Sequence, residues 1–305
     1  FPKNILARAL SVYMIGVTLG SGFAYMLGGA VVGYVEGMDR IIVPIIGEME
    51  GWQLTFFIVG LPGLFVAALM YYTVREPARK GVGQDLTEIP LTNVLSYLLQ
   101  RKQAYLGHIL GISIFIMVVY ALNLWGPTYF IRTFEYSRPE AGWVFGLVMI
   151  SAGTFGLLTA GLLSDKLMAR GIHDAYIRMI LFSMLAIMPC AIALGFIEND
   201  KLAIVAMAFA IYFSAFQGGI SGGALQLMTP NRMRGQVTAL FLLAANLIGL
   251  GLGPTVIAMV TDYIFMDEAA IGKSIALCTL LLCPTGAFIL WRSMPAIQKQ
   301  LAEQG

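Results

Sequence analysis

The side chains that could contact a solute within this chain are amides, aromatic rings and hydroxyls rather than acids, bases or thiols. Asn123, Gln217 and Asn246 each lie inside a long apolar run. A polar group surrounded by hydrocarbon must find a hydrogen-bond partner in the protein, because no water is available there. That partner is either a neighbouring helix or a bound solute, and the sequence leaves both open.

Aromatic and hydroxyl side chains recur near these amides at the spacing of one helix face. Tyr120 and Asn123, for example, are three residues apart, which places them on the same face of a helix. We expect a cavity lined by Ser21, Tyr25, Tyr120, Asn123, Phe213, Phe216, Gln217 and Asn246. A cavity of aromatics and amides without charge suits an amphipathic or largely apolar solute.

No pattern of a catalytic or metal-binding site accompanies these residues. The chain has 2 His, no H-E-x-x-H motif and no G-x-x-x-x-G-K-[ST] loop that could hold a phosphate. The 3 Cys lie in apolar runs and suggest no disulfide framework. We therefore expect no catalytic residue, no metal, no cofactor and no enzymatic activity. A net charge of +2 is also too small to indicate a nucleic-acid partner.

The elements that must position these residues are membrane-spanning helices. Hydrophobic residues make up 58% of the chain and charged residues 12%, whereas soluble domains carry about 25% charged residues. A helix needs about 20 apolar residues to cross the hydrocarbon core. Eight windows without Asp, Glu, Lys or Arg are candidates: Ala9–Val35, Gly51–Val74, Gln103–Ile131, Ala141–Ser164, Met179–Ile197, Leu202–Asn231, Gly235–Thr261 and Ser274–Trp291. The apolar segment Ile41–Gly47 is too short to cross.

Eight crossings place both ends of the chain on one side of the membrane, which we call side A; the other is side B. Side B holds five of the 19 Lys and Arg residues, namely Arg40, Arg132, Arg138, Lys201 and Lys273, and side A holds the rest. Because Lys and Arg accumulate in cytoplasmic loops, side A is predicted to be cytoplasmic. The segment "LTNVLSYLLQRK" on this side is predicted to form a short amphipathic helix at the interface.

Small residues in two spans predict close helix packing. The first span contains Gly16 and Gly20, and the seventh contains Gly249, Gly253 and Pro254. Faces without side chains let transmembrane helices approach closely. The two glycine-rich spans align at an offset of 229 residues, which places Gly20 on Gly249. Such internal repeats are common in secondary transporters, although glycine is also frequent in membrane helices.

Five segments resemble the major facilitator superfamily. "GLLSDKLMARG" resembles the loop signature between the second and third helices of each six-helix half, and the glycine-rich first span resembles the fifth helix. "GWQLTFFIVGLPGLFVAALMYYTVREP" resembles the sixth helix, "WGPTYFIRTF" the end of the seventh, and "NRMRGQVTALFLLAANLIGLGLGP" the eleventh, with most similarity to Spinster-like members. The resemblance covers helices five to twelve of twelve.

The resemblance implies an all-α integral membrane fold, a bundle with eight transmembrane helices present and the first four apparently missing. Residues 1–74 would be the last two helices of the N-terminal six-helix bundle. Residues 75–103 would be a cytoplasmic linker, 104–293 the C-terminal six-helix bundle and 294–305 a cytoplasmic tail. The resemblance also places Tyr120, Asn123 and Gln217 in helices that line a central cavity.

A gate on side A follows from the same resemblance. Asp165 would face the start of the first span, near Pro2–Ala7, across the seam between the two bundles. Helix N-termini favour negative charge. A contact that forms in one conformation and breaks in the other biases the equilibrium between them. The gating residues implied are Asp165, Lys166, Arg170 and Arg234; the alternative is a solvated cytoplasmic loop.

The implied function is secondary active transport of a small amphipathic organic solute or lipid by alternating access between the two bundles. The proton is the expected coupling ion, bound by a carboxylate in helices outside this sequence, and His108 is expected to be structural. The expected partners are the solute and membrane lipids, and the protein is expected to be a monomer in the inner membrane. A membrane sensor with a transporter fold and an integral-membrane enzyme are the alternatives.

Overall fold

The computed structural model of the protein describes residues 6–36, 41–43, 47–74 and 89–304, with only the backbone given for Leu6, Ala7, Ile41 and Val43. Within these ranges, eight helices are long and apolar enough to cross a membrane. This confirms the eight predicted spans. Most of these helices extend beyond the uncharged windows and take charged residues into their ends. Residues 2–5 of the predicted contact region and most of the linker, residues 75–88, lie outside the described residues.

Five of the eight crossings contain one uninterrupted helix, and three are built from several segments. The uninterrupted helices are α1 (Leu6–Val35), α2 (Gly51–Thr73), α4 (Lys102–Phe134), α7 (Ala175–Ala193) and α12 (Ile271–Gln304). The fourth crossing is α5 (Arg138–Val148) followed by α6 (Thr154–Ala169), and the sixth is α8 (Asp200–Ser214) followed by α9 (Phe216–Met228). The seventh is α10 (Arg234–Ala244) followed by α11 (Gly251–Met259).

The segmented crossings are interrupted by local changes in the helical turn. The π-helical turns Met149–Gly153 and Ala245–Leu250 separate α5 from α6 and α10 from α11, and a third, Val260–Phe265, follows α11. Pro254 has no N–H to donate to the carbonyl four residues earlier, which loosens the ladder next to the second of these turns. A break at Ala215 separates α8 from α9. The charge-free windows predicted the spans but gave no sign of these interruptions.

Two short elements connect the crossings. Strands β1 (Ile41–Val43) and β2 (Gly47–Met49) pair antiparallel between α1 and α2, with Ile41 opposite Met49. The amphipathic segment forms α3 (Leu91–Gln100), which buries Val94 and Leu98 and leaves Leu91, Leu95 and Leu99 exposed. Gln236 donates a hydrogen bond to the carbonyl of Ile89 at 2.9 Å. This bond ties the start of α3 to α10.

The core is centred on α4, which packs most extensively against α12. A Cβ atom added to Gly111 would lie 3.0 Å from the carbonyl oxygen of Gly286, and one added to Gly286 would lie 2.8 Å from that of Gly111. The backbones of the two helices therefore touch at this crossing. None of the residues of α2, by contrast, is buried by the described chain.

The predicted packing glycines divide into two groups. A Cβ on Gly249 would collide with Ile116, and one on Gly253 would collide with the Met117 carbonyl, so this face of the seventh crossing does rest on α4. The carbonyl of Pro254 accepts a hydrogen bond from the Trp125 indole at 2.9 Å. Gly16 and Gly20 have no described atom within 4 Å of such a Cβ.

The close approach of α1 therefore uses a different glycine face from the one expected. Gly22, Gly29 and Gly33 follow one another at intervals of seven and four residues and rest on Gly146, Gly142 and Pro139 of α5. Successive helical residues are about 100° apart, so Gly20 and Gly22 lie on roughly opposite sides of α1. Glycine spacing alone did not distinguish these two faces.

Candidate functional site

A cavity of about 340 Å³ lies where the interrupted crossings meet α1 and α4. The π-helical turns Met149–Gly153 and Ala245–Leu250 and the break at Ala215 contribute to its wall. Irregular helical turns recur at functional sites because they change the direction of side chains and free backbone groups. Five of the predicted residues line this cavity: Ser21, Tyr120, Asn123, Gln217 and Asn246.

The polar groups of the cavity are only partly satisfied by one another. The Tyr120 hydroxyl donates a long hydrogen bond of 3.4 Å to Oδ1 of Asn246, whose Nδ2 donates to the Leu242 carbonyl at 2.8 Å. Oδ1 of Asn123 is buried and accepts no hydrogen bond from the described residues. An unsatisfied buried acceptor is costly, so this amide oxygen is a natural point of attachment for a donor on a bound solute.

Charge is missing from the described wall of the cavity. None of its lining residues is Asp, Glu, Lys, Arg or His. Thr18, Ser214 and Ser221 add hydroxyl groups to the amides, while Ile116, Val119 and Leu157 supply hydrocarbon. His108 lies outside this lining, fully buried, with its ring 5.9 Å from that of Phe241.

Phe213, Phe216 and Tyr25 were predicted to line the cavity, and the structure does not place them there. Phe213 and Phe216 pack with Tyr212 and Phe182 instead. The Tyr25 ring packs edge-on against Phe145 at 4.8 Å, and its hydroxyl donates to the Asn123 carbonyl at 2.7 Å. Tyr25 therefore holds the α4 backbone beside the cavity rather than facing into it.

The face of α8 and α9 that lines the cavity is small and polar rather than aromatic. Ile211, Ser214, Gly218 and Ser221 line the cavity at intervals of three and four residues. The spacing of this stripe is that of one helix face, but the sequence-based prediction placed the aromatic residues Phe213 and Phe216 in the wall instead. Gln217 lies at the edge of this stripe, between the predicted aromatic face and the observed polar face, and it lines the cavity.

The side-A end of α1 is capped by a carboxylate from another crossing. Asp165 is 3% exposed, and its Oδ2 accepts a hydrogen bond from the backbone N–H of Arg8 at 3.1 Å. Oδ2 also lies 3.8 Å from Nε of Arg8. The first N–H groups of a helix have no partner within it, so Asp165 supplies one and places negative charge at the positive end of α1. This is the position that the resemblance implied for Asp165.

The other predicted gating residues do not take part in this contact. Lys166 and Arg170 are exposed. Arg234 donates from Nε to the Thr229 carbonyl at 3.0 Å and from Nη1 to Asn231 at 3.3 Å, so it stabilises the turn before its own helix. The charge cluster predicted a shared site, whereas the described contact joins Asp165 to the backbone N–H and the side chain of Arg8.

The side-B end of α1 makes a second contact that sequence reasoning missed. Arg138 and Glu36 form an ion pair of 3.4 Å between half-exposed side chains. It lies beside the glycine crossing of α1 and α5. An exposed pair of this kind contributes little by itself, but it marks where the end of α1 meets the next crossing. The helix α1 is therefore held at both ends, with the cavity between.

The sequence matches the family model described as "Major Facilitator Superfamily" over residues 1–254. An MFS-type efflux pump of Mycolicibacterium smegmatis is 25% identical over 304 residues, which are 97% of this chain and 65% of the pump. Protein spinster homolog 1 of Xenopus laevis is 23% identical over 86% of this chain and 50% of its own length. The chain thus spans half to about two-thirds of these relatives.

Among solved structures, the fold is similar to that of a bacterial homologue of the human lysosomal transporter Spinster, in an inward-facing, unoccupied conformation. The TM-score is 0.62 at 20% sequence identity, with 100% of this chain and 75% of that chain covered. These likenesses agree with the Spinster-like features of the sequence. The family match over most of the length and the eight-helix membrane fold lead to one conclusion: this integral membrane protein belongs to the major facilitator superfamily.

Proposed function

We propose that the protein is part of a secondary active transporter that moves a small amphipathic organic solute or lipid by alternating access. The observation that carries this proposal is the uncharged, partly unsatisfied polar cavity enclosed between α1 and the remaining crossings. Sites for small molecules are mostly apolar and contain a few polar groups that fix orientation. The relatives named as an efflux pump and Spinster homologue support transport as the activity.

In this proposal, α1 belongs to one moving bundle and α4–α12 belong to the other. Residues 1–74 form the end of the first bundle, 75–103 the linker, 104–293 the second bundle and 294–305 a tail. The Asp165–Arg8 contact closes side A, and the crossing of Gly29 on Gly142 closes side B. Opening one contact while keeping the other gives the cavity access to one side at a time, as alternating access requires.

The solute class follows from the lining of the cavity. A charged solute would lose its hydration without gaining a counter-ion from the described wall, which is unfavourable. A neutral or weakly polar molecule with a hydroxyl or N–H donor can satisfy Oδ1 of Asn123 while its apolar part contacts Ile116 and Leu157. We also propose proton coupling through a titrating group outside the described cavity wall, and a monomer in the inner membrane with side A in the cytoplasm.

Asn123→Ala and Gln217→Ala are expected to weaken solute binding by roughly tenfold each. Each removes a hydrogen bond whose net contribution is about 1 kcal/mol, and somewhat more where the solute's donor is left unpaired. The measurement is counterflow of a radiolabelled solute in proteoliposomes of the full-length protein, after a thermal-shift screen has identified a stabilising solute. Asn93→Ala, an exposed amide on α3 outside the cavity, is the matched control.

The counterflow assay also separates transport from sensing. A sensor binds the solute, and its thermal shift is retained, but it exchanges no solute across the membrane. If both cavity variants exchange solute at the rate of Asn93→Ala, the cavity is not the transport site. If the unmodified protein binds solute without counterflow, the transport proposal itself is wrong.

A further inference from the structure

A second and larger cavity, of about 710 Å³, opens at the side-A ends of four helices. It lies between the turn that joins α6 to α7, the first turns of α7, the end of α9 and the last turns of α12. It shares no lining residue with the cavity between α1 and α4. Leu227 belongs to an apolar window, whereas the α12 residues of the lining lie beyond the window that ends at Trp291, so the cavity opens on the predicted cytoplasmic side of the membrane surface.

A buried acidic residue organises the wall of this cavity. Asp174 is 6% exposed and accepts hydrogen bonds from Nε of Arg178 and Nε2 of Gln298, both at 2.8 Å. Burial by itself raises the pKa of Asp174, but the hydrogen bonds from Arg178 and Gln298 outweigh it and hold the pKa below its usual value. The carboxylate is therefore ionised and already paired. Its repulsion of an incoming anion is largely cancelled by Arg178.

The Arg178 guanidinium retains donors for a ligand. Only its Nε makes a hydrogen bond to the described residues, and its side chain is 55% exposed beside the cavity. A guanidinium presents several N–H groups in a planar fork that matches the oxygen atoms of a phosphate. His173 lines the same cavity, and Arg170 is exposed on the adjoining turn. The charges of Arg178 and Asp174 in the wall balance each other, and Arg170 adds one positive charge beside the entrance.

The wall of this cavity also contains hydrocarbon side chains. Met168, Ile172, Leu227 and Leu301 line the cavity, the first two on the α6–α7 side and the others on α9 and α12. A soluble anion would gain nothing from these apolar side chains. A molecule with an anionic head and an apolar chain would fill both parts.

We propose that this cavity binds an anionic phospholipid, with the headgroup phosphate at Arg178 and His173 and part of an acyl chain against Met168, Leu227 and Leu301. Basic pockets at the cytoplasmic ends of transmembrane helices attract anionic lipids because the charge of the headgroup and the burial of the chain both contribute. Bound lipid would bridge the α6–α7 turn and the end of α12, two segments that the Asp174–Gln298 hydrogen bond already joins. The proposal does not depend on transport.

Thermal unfolding of the full-length protein in detergent, titrated with phosphatidylglycerol or phosphatidylcholine, tests this site. The glycerol lipid carries net negative charge, and it is expected to raise the unfolding temperature at lower concentration than the choline lipid. Arg178→Gln is expected to weaken phosphatidylglycerol binding about fivefold, the contribution of one basic side chain at an anionic membrane surface, and to weaken phosphatidylcholine binding less, because that headgroup has a phosphate but no net charge. Arg292→Gln removes an exposed side-A charge on α12 outside the cavity and is the matched control.

A second variant keeps the test informative if Arg178→Gln folds poorly. Ala302 lines the cavity and is exposed, so Ala302→Trp fills space without replacing Asp174, Arg178 or Gln298, and it is expected to weaken binding of both lipids. Binding of phosphatidylglycerol to both variants as to the unmodified protein would overturn the proposal. So would equal stabilisation by inorganic phosphate alone, or equal weakening by Arg292→Gln.

Discussion

Gly29→Leu is expected to lower the transport rate by about 5- to 150-fold, because the added side chain prevents α1 from meeting α5 at side B. A Cβ at this position would lie 2.9 Å from the Arg138 carbonyl oxygen and 3.1 Å from Cα of Gly142. Both neighbours are backbone atoms, so they cannot move without shifting the helix. Overpacking of this kind costs about 1–3 kcal/mol, and a coupling free energy of that size changes an equilibrium by about that factor.

Gly28→Leu is the matched control for this prediction. It adds the same side chain one residue away, where a Cβ meets no described atom within 4 Å. Both variants also gain the same helix propensity on replacing glycine, so propensity cancels in the comparison. The rates are measured in proteoliposomes with equal amounts of inserted protein. Equal rates for the two variants would show that the α1–α5 crossing does not have to close during transport.

Asp165→Asn is expected to shift the protein toward the conformation that is open on side A. The substitution keeps the shape of the side chain but removes the charge that faces the N-terminal end of α1. The hydrogen bond that the carboxylate accepts and its interaction with the helix dipole together contribute about 1–2 kcal/mol in a partly buried position. That loss changes the ratio of closed to open conformations by about 5- to 30-fold.

The shift can be measured as a distance between spin labels on α1 and α6. Tyr13 and Leu162 are both exposed positions on these helices close to the contact. A longer-distance population should grow in Asp165→Asn and stay unchanged in Lys166→Gln, which removes the neighbouring exposed charge. If Asp165→Asn gives the same distance distribution as the unmodified protein, the carboxylate does not act as a gate.

The membrane crossings could be predicted from the sequence because charge is nearly absent from them. A single charged residue inside a bilayer is so unfavourable that charge-free windows delimit helices with little ambiguity. The ends were less well predicted, since α12 continues to Gln304 while the apolar window ends at Trp291. Beyond the hydrocarbon core, packing against neighbouring helices decides where a helix ends. A search for charge-free windows cannot detect such packing.

The candidate site was predicted in part, for reasons that its residues make clear. The positions of Asn123, Gln217 and Asn246 in the cavity wall could be predicted because an amide within an apolar span is unusual and needs a hydrogen-bond partner. Phe213 and Phe216 were predicted in the cavity wall but pack between helices, because aromatic rings occur in both environments. The π-helical turn at Ala245–Leu250, which bears Asn246, has no simple signal in the sequence beyond the nearby Pro254.

The glycine pattern also predicted some packing contacts and not others. Gly249 and Gly253 pack on α4 as expected, while Gly16 and Gly20 of the equally glycine-rich α1 have no neighbour among the described residues. A glycine face permits close approach without choosing the partner. Which face is used depends on where α5 crosses α1, a property of the assembled bundle.

The central claim is that one cavity is reached alternately from the two sides of the membrane, and a cysteine at Ser21 tests it most directly. Ser21 lines the cavity on α1, and the native Cys190, Cys278 and Cys283 can be replaced to remove background labelling. Using a membrane-impermeant thiol reagent on proteoliposomes, we predict labelling from either side, slowed by solute, with Asp165→Asn increasing labelling from side A and decreasing it from side B. Labelling from one side only, unchanged by solute or by Asp165→Asn, would contradict the account.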